Sequence, residues 1–175
     1  MELWDIYDEN RCLTGRTMVR GEAYPEGGYH LVVHMCVFNS RGEMLLQRRH
    51  PEKDDWSGMW DVTMGGSAVA GEDSRTAAER EVLEEMGICV DLTGVRPALT
   101  VNRPHIINDI YFVDRDLALS ELTFQPTEVC DAKWADEDRV LAMLDEGVFI
   151  PYHKSFIRYL FDLHRCGGNL HRYEG

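Results

Sequence analysis

The chain has 175 residues, 44% of them hydrophobic, which is enough for one full core and short for two domains. Its 31 acidic against 18 basic residues give a formal net charge of −13, which argues against general attraction to nucleic acid or to an anionic membrane surface. A phosphate-bearing ligand would have to be held against that field by a local site or a metal ion.

Cys12, Cys36, Cys89, Cys130 and Cys166 show no CxxC spacing and are odd in number, so they read as free thiols in a reducing compartment. The acidic start "MELWDIYDEN" is unlike a basic and apolar leader, and no apolar run is long enough to span a bilayer; a cytoplasmic protein is expected.

In chain order, "LWDIYDENRCLTGRTMVRGEA" reads as a hairpin folded around Asp8, Glu9 and Asn10, followed by a turn at "YPEGG". The β-branched and aromatic run "YHLVVHMCVF", the turn "NSRG" and then "EMLLQRR" predict two strands buried on both faces. A loop, "HPEKDDWSGMWD", and a short extended piece, "VTMGG", lead to "SAVAGEDSRTAAEREVLEEMG". Asp73 or Ser74 is placed to cap a helix there and Gly87 to end it. Strands are expected at "RPALTV", "INDIYFVD" and "DAKWAD", and helices around Asp136 to Glu146 and from about Tyr152 to His164. Neither a repeat nor a linker divides the sequence, so residues 1–175 are expected to form one domain with a mixed α/β sandwich.

The acidic helix carries the chemistry. At about 100° per residue, Glu81, Glu84 and Glu85 converge within roughly a 100° arc, while Ala78, Val82, Leu83 and Met86 form a separate apolar side to bury. Like charges three and four apart repel. A solvated acidic face is the default for such a helix, but a hard divalent cation would turn the repulsion into affinity, and Mg²⁺ takes a few carboxylates together with substrate phosphate oxygens.

Gly66, five residues, Glu72, seven residues, then Arg80-Glu81-Val82-Leu83-Glu84-Glu85-Met86-Gly87-Ile88 resembles a complete Nudix box, the signature of the Nudix hydrolase superfamily. The resemblance implies an α/β fold of the Nudix type, an α/β/α sandwich with a mixed β-sheet, with the box at 66–88 and residues 1–28 as an N-terminal hairpin extension. It implies a Mg²⁺-dependent hydrolase, with Mn²⁺ as the alternative metal, that cleaves a small-molecule diphosphate such as a nucleoside diphosphate derivative. Glu84 and Glu85 would then be the principal metal ligands, Glu81 a further ligand or the base that activates water, and the Gly66 carbonyl a completing ligand. Arg80 and Glu72 would pair to hold loop and helix together.

Outside the box the chain is similar to the branch related to isopentenyl-diphosphate isomerase, which uses a cysteine just before the box glycine and a metal-binding histidine just after it. Gly65 and Ser67 stand there instead, so hydrolysis is expected, with isomerase and a non-catalytic diphosphate sensor as alternatives.

His30 falls where the isomerase has another metal-binding histidine, but four residues on a strand separate it from His34 by roughly 13 Å, too far for joint chelation. Arg48 and Arg49 alternate across their strand, so only one can face a substrate phosphate. Trp56, in the loop, is a candidate substrate contact, and Trp60 and Trp134 are expected to be packing anchors. Asp109 and Glu128 are candidates for an extra acid outside the box. Many relatives form homodimers, and nothing in this chain marks such an interface.

Overall fold

A computed structural model describes residues 2–62 and 64–167. Among these the chain runs β1 (Leu3–Tyr7), β2 (Leu13–Val19), β3 (His30–Phe38), β4 (Met44–Arg49), β5 (Trp60–Asp61), β6 (Met64–Ser67), α1 (Ser74–Met86), β7 (Leu99–Arg103), β8 (Ile106–Asp114), β9 (Val129–Ala135), α2 (Glu137–Asp145) and α3 (Lys154–Cys166), with one 3₁₀ turn at Leu119–Glu121. Thr63, within the extended piece read from "VTMGG", lies outside the described residues. The chain divides into two compact units; one holds the chain up to Met35 together with Met64–Tyr111, the other holds the remainder, and β3 and β8 thread both.

In the first unit, β1 and β2 form an antiparallel hairpin with Leu3 opposite Val19 and a bulge between Asp5 and Tyr7. Its turn is tied by the Asp8 carboxylate, which accepts the N–H groups of Asn10 at 2.9 Å and Cys12 at 2.8 Å, while Arg11 sits at φ 63. Under the hairpin, Trp4, Ile6 and Met18 form a small buried cluster with Tyr24 against it. β3 pairs antiparallel with β6, from Val32 opposite Ser67 to Met35 opposite Met64, and β7 pairs antiparallel with β8. The His30 N–H donates to the His105 carbonyl at 2.9 Å, where β3 and β8 run side by side in the same direction, so the sheet is mixed.

α1 packs against β6. Its start is fixed by Asp73, whose carboxylate accepts the Thr76 N–H at 2.9 Å. Its end is fixed by Gly87 at φ 71, whose N–H returns to the Leu83 carbonyl at 2.9 Å. The buried side of α1 consists of Ala77, Ala78, Val82, Glu85 and Met86. This corrects the expected apolar side: Leu83 is 48% exposed and Glu85 is buried. At about 100° per residue Leu83 lies a full 100° beyond Val82, whereas Glu85 falls within about 20° of Ala78, so the helix turns an acid toward the sheet.

In the second unit, β3 turns into β4 through Asn39, whose side-chain oxygen accepts the N–H groups of Arg41 and Glu43. β4 pairs antiparallel with both β5 and β9. α2 is capped by Asp136, which accepts the Arg139 N–H at 2.8 Å, and packs against α3. α3 buries Ile157, Leu160 and Phe161, and its last turn lays His164 flat on Phe38 at 3.7 Å between ring centres. The result is a mixed α/β fold with a multi-strand mixed sheet and three helices among the described residues.

Candidate active site

Arg80 organises the box. Its Nε donates to Glu72 Oε1 at 2.7 Å and its Nη2 to Glu72 Oε2 at 2.9 Å, a fork-to-fork pair joining helix to loop. Its Nη1 donates to Glu81 Oε1 at 2.8 Å and Glu84 Oε2 at 3.1 Å, and Nη2 also reaches the Ser67 carbonyl at 3.2 Å. One guanidinium thus holds the loop, the end of β6 and two helix carboxylates in a single arrangement. The bonds to Glu72 push the Arg80 pKa up. Burial would raise Glu72, but its bonds from Arg80 and from the Val69 N–H outweigh that and leave it below the usual carboxylate range.

Glu81 differs from Glu72 although they share the same arginine. Burial dominates, and its pKa stands above the ordinary glutamate value despite Arg80. The reason is its seat: a Cβ at Gly66 would lie 2.6 Å from Glu81 Oε1, so the carboxylate occupies the space that any larger residue would fill. Glu85, buried, accepts the Gly65 N–H at 3.3 Å. Among the described residues no three histidine, cysteine or acidic side chains are gathered as closely as an enclosed ion would need. The three glutamates nevertheless present hard oxygen donors from one arc of α1, beside the Gly66 backbone that cradles Glu81.

The other predicted residues lie elsewhere. Asp109 is fully buried at the N-terminal end of α1, where Arg11 donates to both of its oxygens and Thr100 Oγ1 and Ser74 Oγ donate one bond each. Its acceptor capacity is filled, and Ser74 stands ten residues before Glu84, about 15 Å along the helix. The structure therefore does not bring Asp109 to the box glutamates. Glu128 is ion-paired with Lys53 in the second unit.

The pairing of β4 with β9 shifts register between Arg48 and Arg49, leaving Cys130 of β9 unpaired in the ladder. Both arginines turn to the loop that follows, Arg48 Nε donating to the Gly58 carbonyl at 2.9 Å and Arg49 Nε to that of Asp55 at 3.0 Å. On the loop they brace, Trp56 is 50% exposed at φ 53. Trp60 is half-buried and carries the Lys133 ammonium 3.9 Å above its ring.

His30 is buried and stacked on Trp4 at 4.3 Å, with Nδ1 3.0 Å from the Tyr24 hydroxyl and Nε2 3.3 Å from Ser67 Oγ. His34 Nδ1 lies 2.6 Å from Asn108 Oδ1. The contributions of Ser67, Ser74, Thr100 and Arg11 have no signal in sequence spacing, because each acts on a residue distant along the chain.

The NUDIX domain model matches residues 28–159. The chain is 44% identical over 163 residues to an uncharacterised Nudix hydrolase of Listeria monocytogenes, covering 93% of this chain and 95% of that one. It is 39% identical over 88 residues to an isopentenyl-diphosphate Delta-isomerase of Pectobacterium atrosepticum, which covers 50% of this chain and 49% of the isomerase. A crystal structure of the Deinococcus radiodurans protein DR0079 superposes with a TM-score of 0.72 at 22% identity, covering 90% of this chain and 98% of that one. The chain belongs to the Nudix hydrolase family and is an enzyme of that class.

Proposed function

We propose that the enzyme hydrolyses a diphosphate bond in a nucleoside diphosphate derivative or related organic diphosphate, with Mg²⁺ or Mn²⁺ held by Glu81, Glu84, Glu85 and the Gly66 carbonyl. The observation that carries this reading is the Arg80 fork, which fixes Glu72, Glu81 and Glu84 together beside Gly66. The donor set consists of carboxylate and carbonyl oxygens, the chemistry that Mg²⁺ prefers. When bound, such a metal neutralises charge that moves onto the bridging and leaving oxygens during phosphoryl transfer.

The chain's own residues prepare the site before any ligand arrives. Arg80 and Glu72 lock the loop onto α1 and so limit the freedom of the acids. Burial raises the Glu81 pKa above the ordinary glutamate value, which suits it, as the alternative to a ligand role, to accept a proton from water. Glu85 is oriented by the Gly65 N–H.

The partial relatives named as isomerases favour a second reading, isomerisation of an allylic diphosphate. The backbone weighs against it. A Cβ at position 65, where the isomerase resemblance would place a catalytic cysteine, would lie 2.1 Å from the Val33 carbonyl oxygen and 2.9 Å from His34 Cα. Both are main-chain atoms, so β3 would have to move.

Incubation with nucleotide sugars, dinucleotides, nucleoside triphosphates and isoprenyl diphosphates, with and without Mg²⁺, separates the readings by product. Metal-dependent phosphate or nucleotide release supports hydrolysis. Rearrangement without release would support the isomerase, and binding with no product a sensor.

A further inference from the structure

We propose that the open cleft at the N-terminal end of α1 binds a small organic phosphate, at a site separate from the box carboxylates. The cleft encloses about 380 Å³, within the range of small-molecule sites. Three arginines line it: Arg11 from the hairpin, Arg75 from the first turn of α1, and Arg96 from the segment before β7.

Arg11 is pre-oriented. Two of its five donors bind the fully buried Asp109, and its side chain is still 41% exposed. Arg75 has a carboxylate, that of Asp73, no nearer than 3.7 Å. Arg96 has no hydrogen bond or ion pair among the described residues.

Two carboxylates belong to the same neighbourhood, Asp109 beneath the cleft and Asp73 on its wall. Asp73 faces the Thr76 N–H and hydroxyl as the helix cap. Asp5, close enough to add to the rise that burial gives the Tyr7 pKa, is a third, so three guanidinium-bearing residues balance three carboxylates in a chain whose total charge is −13. Guanidinium groups from three separate segments can match the several oxygens of a phosphate, and they disfavour a cation.

The rest of the wall selects for an organic group. Tyr7, Pro97 and the exposed Val95 supply ring and apolar surface, while Leu31 and Tyr111 are buried behind them, Tyr111 held by its bond to Ser74 Oγ at 2.9 Å. A phosphate carrying one ring or a short apolar group satisfies both halves of the cleft.

The inference does not rest on metal-dependent hydrolysis, and its test is run on the full chain in EDTA. Phenyl phosphate, inorganic phosphate and benzoate are titrated while backbone amide shifts are followed by NMR. Saturable shifts at residues 74–76 and 94–96 are expected, with phenyl phosphate tightest. Arg75→Ala with Arg96→Ala, both exposed positions, is expected to weaken phenyl phosphate about tenfold or more at unchanged melting temperature. Glu84→Gln with Glu85→Gln is expected to leave that binding unchanged. The proposal is overturned by absence of saturation at millimolar phenyl phosphate, by equal binding of benzoate, or by loss in the box variant with retention in the arginine variant.

Discussion

Replacing Arg80 by Met tests the part of the site on which everything else leans. The guanidinium is 26% exposed and its partners Glu72 and Glu81 are 13% and 15% exposed, so its removal strands two mostly buried carboxylates beside each other. Breaking a buried pair by removing one member costs about 3–5 kcal/mol. The partial exposure of Arg80, and the 51% exposure of Glu84, where an ion pair contributes little, reduce the expectation to about 2–4 kcal/mol. For a chain of this size each kcal/mol shifts the melting temperature by about 2–4 °C, so a drop of about 5–15 °C is predicted. Arg80→Lys keeps the charge without the planar fork and should lose about 1–2 kcal/mol.

The assay is urea unfolding followed by circular dichroism, run as a double-mutant cycle with Glu72→Met. In the Glu72→Met background the further cost of Arg80→Met should be at least about 1 kcal/mol smaller, because one stranded carboxylate is already gone. An Arg80→Met protein within about 0.5 kcal/mol of the parent, or strict additivity in the cycle, would refute this account of the site.

Other outcomes follow from the same structure. Gly65→Ala should destabilise by about 1–3 kcal/mol, because its Cβ meets main-chain atoms of β3; a melting temperature equal to the parent's would show that the strands have room. Asp109→Ala leaves Arg11 without its buried partner and should lower the urea midpoint by the equivalent of about 2–4 kcal/mol, discounted for the exposure of Arg11. Burial lowers the His30 pKa below the ordinary value of about 6.5. Above that value His30 is neutral in both states and contributes no pH dependence. As pH falls the unfolded chain takes the proton first, so stability declines from about pH 6.5 until the folded pKa is reached. His30→Gln should therefore flatten the decline in urea midpoint between about pH 7 and pH 5, and an unchanged slope would remove His30 from the explanation. Millimolar Mg²⁺ should raise the melting temperature of the parent, and much less that of Glu84→Gln with Glu85→Gln.

The elements that were legible in the sequence are those whose signals are local. Asp73 and Gly87 bracket α1 through side-chain and backbone bonds three or four residues away, and Asp136 does the same for α2. Glu72, Arg80 and Glu81 could be read as one group because the box fixes their spacing, and the structure joins them through one guanidinium. What spacing could not carry is tertiary. Glu85 lies within about 20° of Ala78 on the buried face of α1 and Leu83 lies outside it, so position on the helix overrides residue type. Arg11 meets Asp109 across 98 positions of sequence, so neither the clasp nor the cleft beside it has a motif. Arg48 and Arg49 both bond carbonyls of the loop that follows, Gly58 and Asp55, a tertiary arrangement that strand alternation does not foretell.

The proposed hydrolysis adds water to a phosphorus atom at a site built by the box glutamates. Turnover of a cleaved diphosphate in ¹⁸O-labelled water, read by the isotope shift in ³¹P NMR, tests it directly. The parent enzyme with Mg²⁺ should place label on one of the two new phosphate ends. Glu84→Gln with Glu85→Gln, folded to the same melting profile without metal, should do so at least about a hundredfold more slowly. Undiminished label incorporation by that variant, or conversion of an isoprenyl diphosphate without any label, would contradict it.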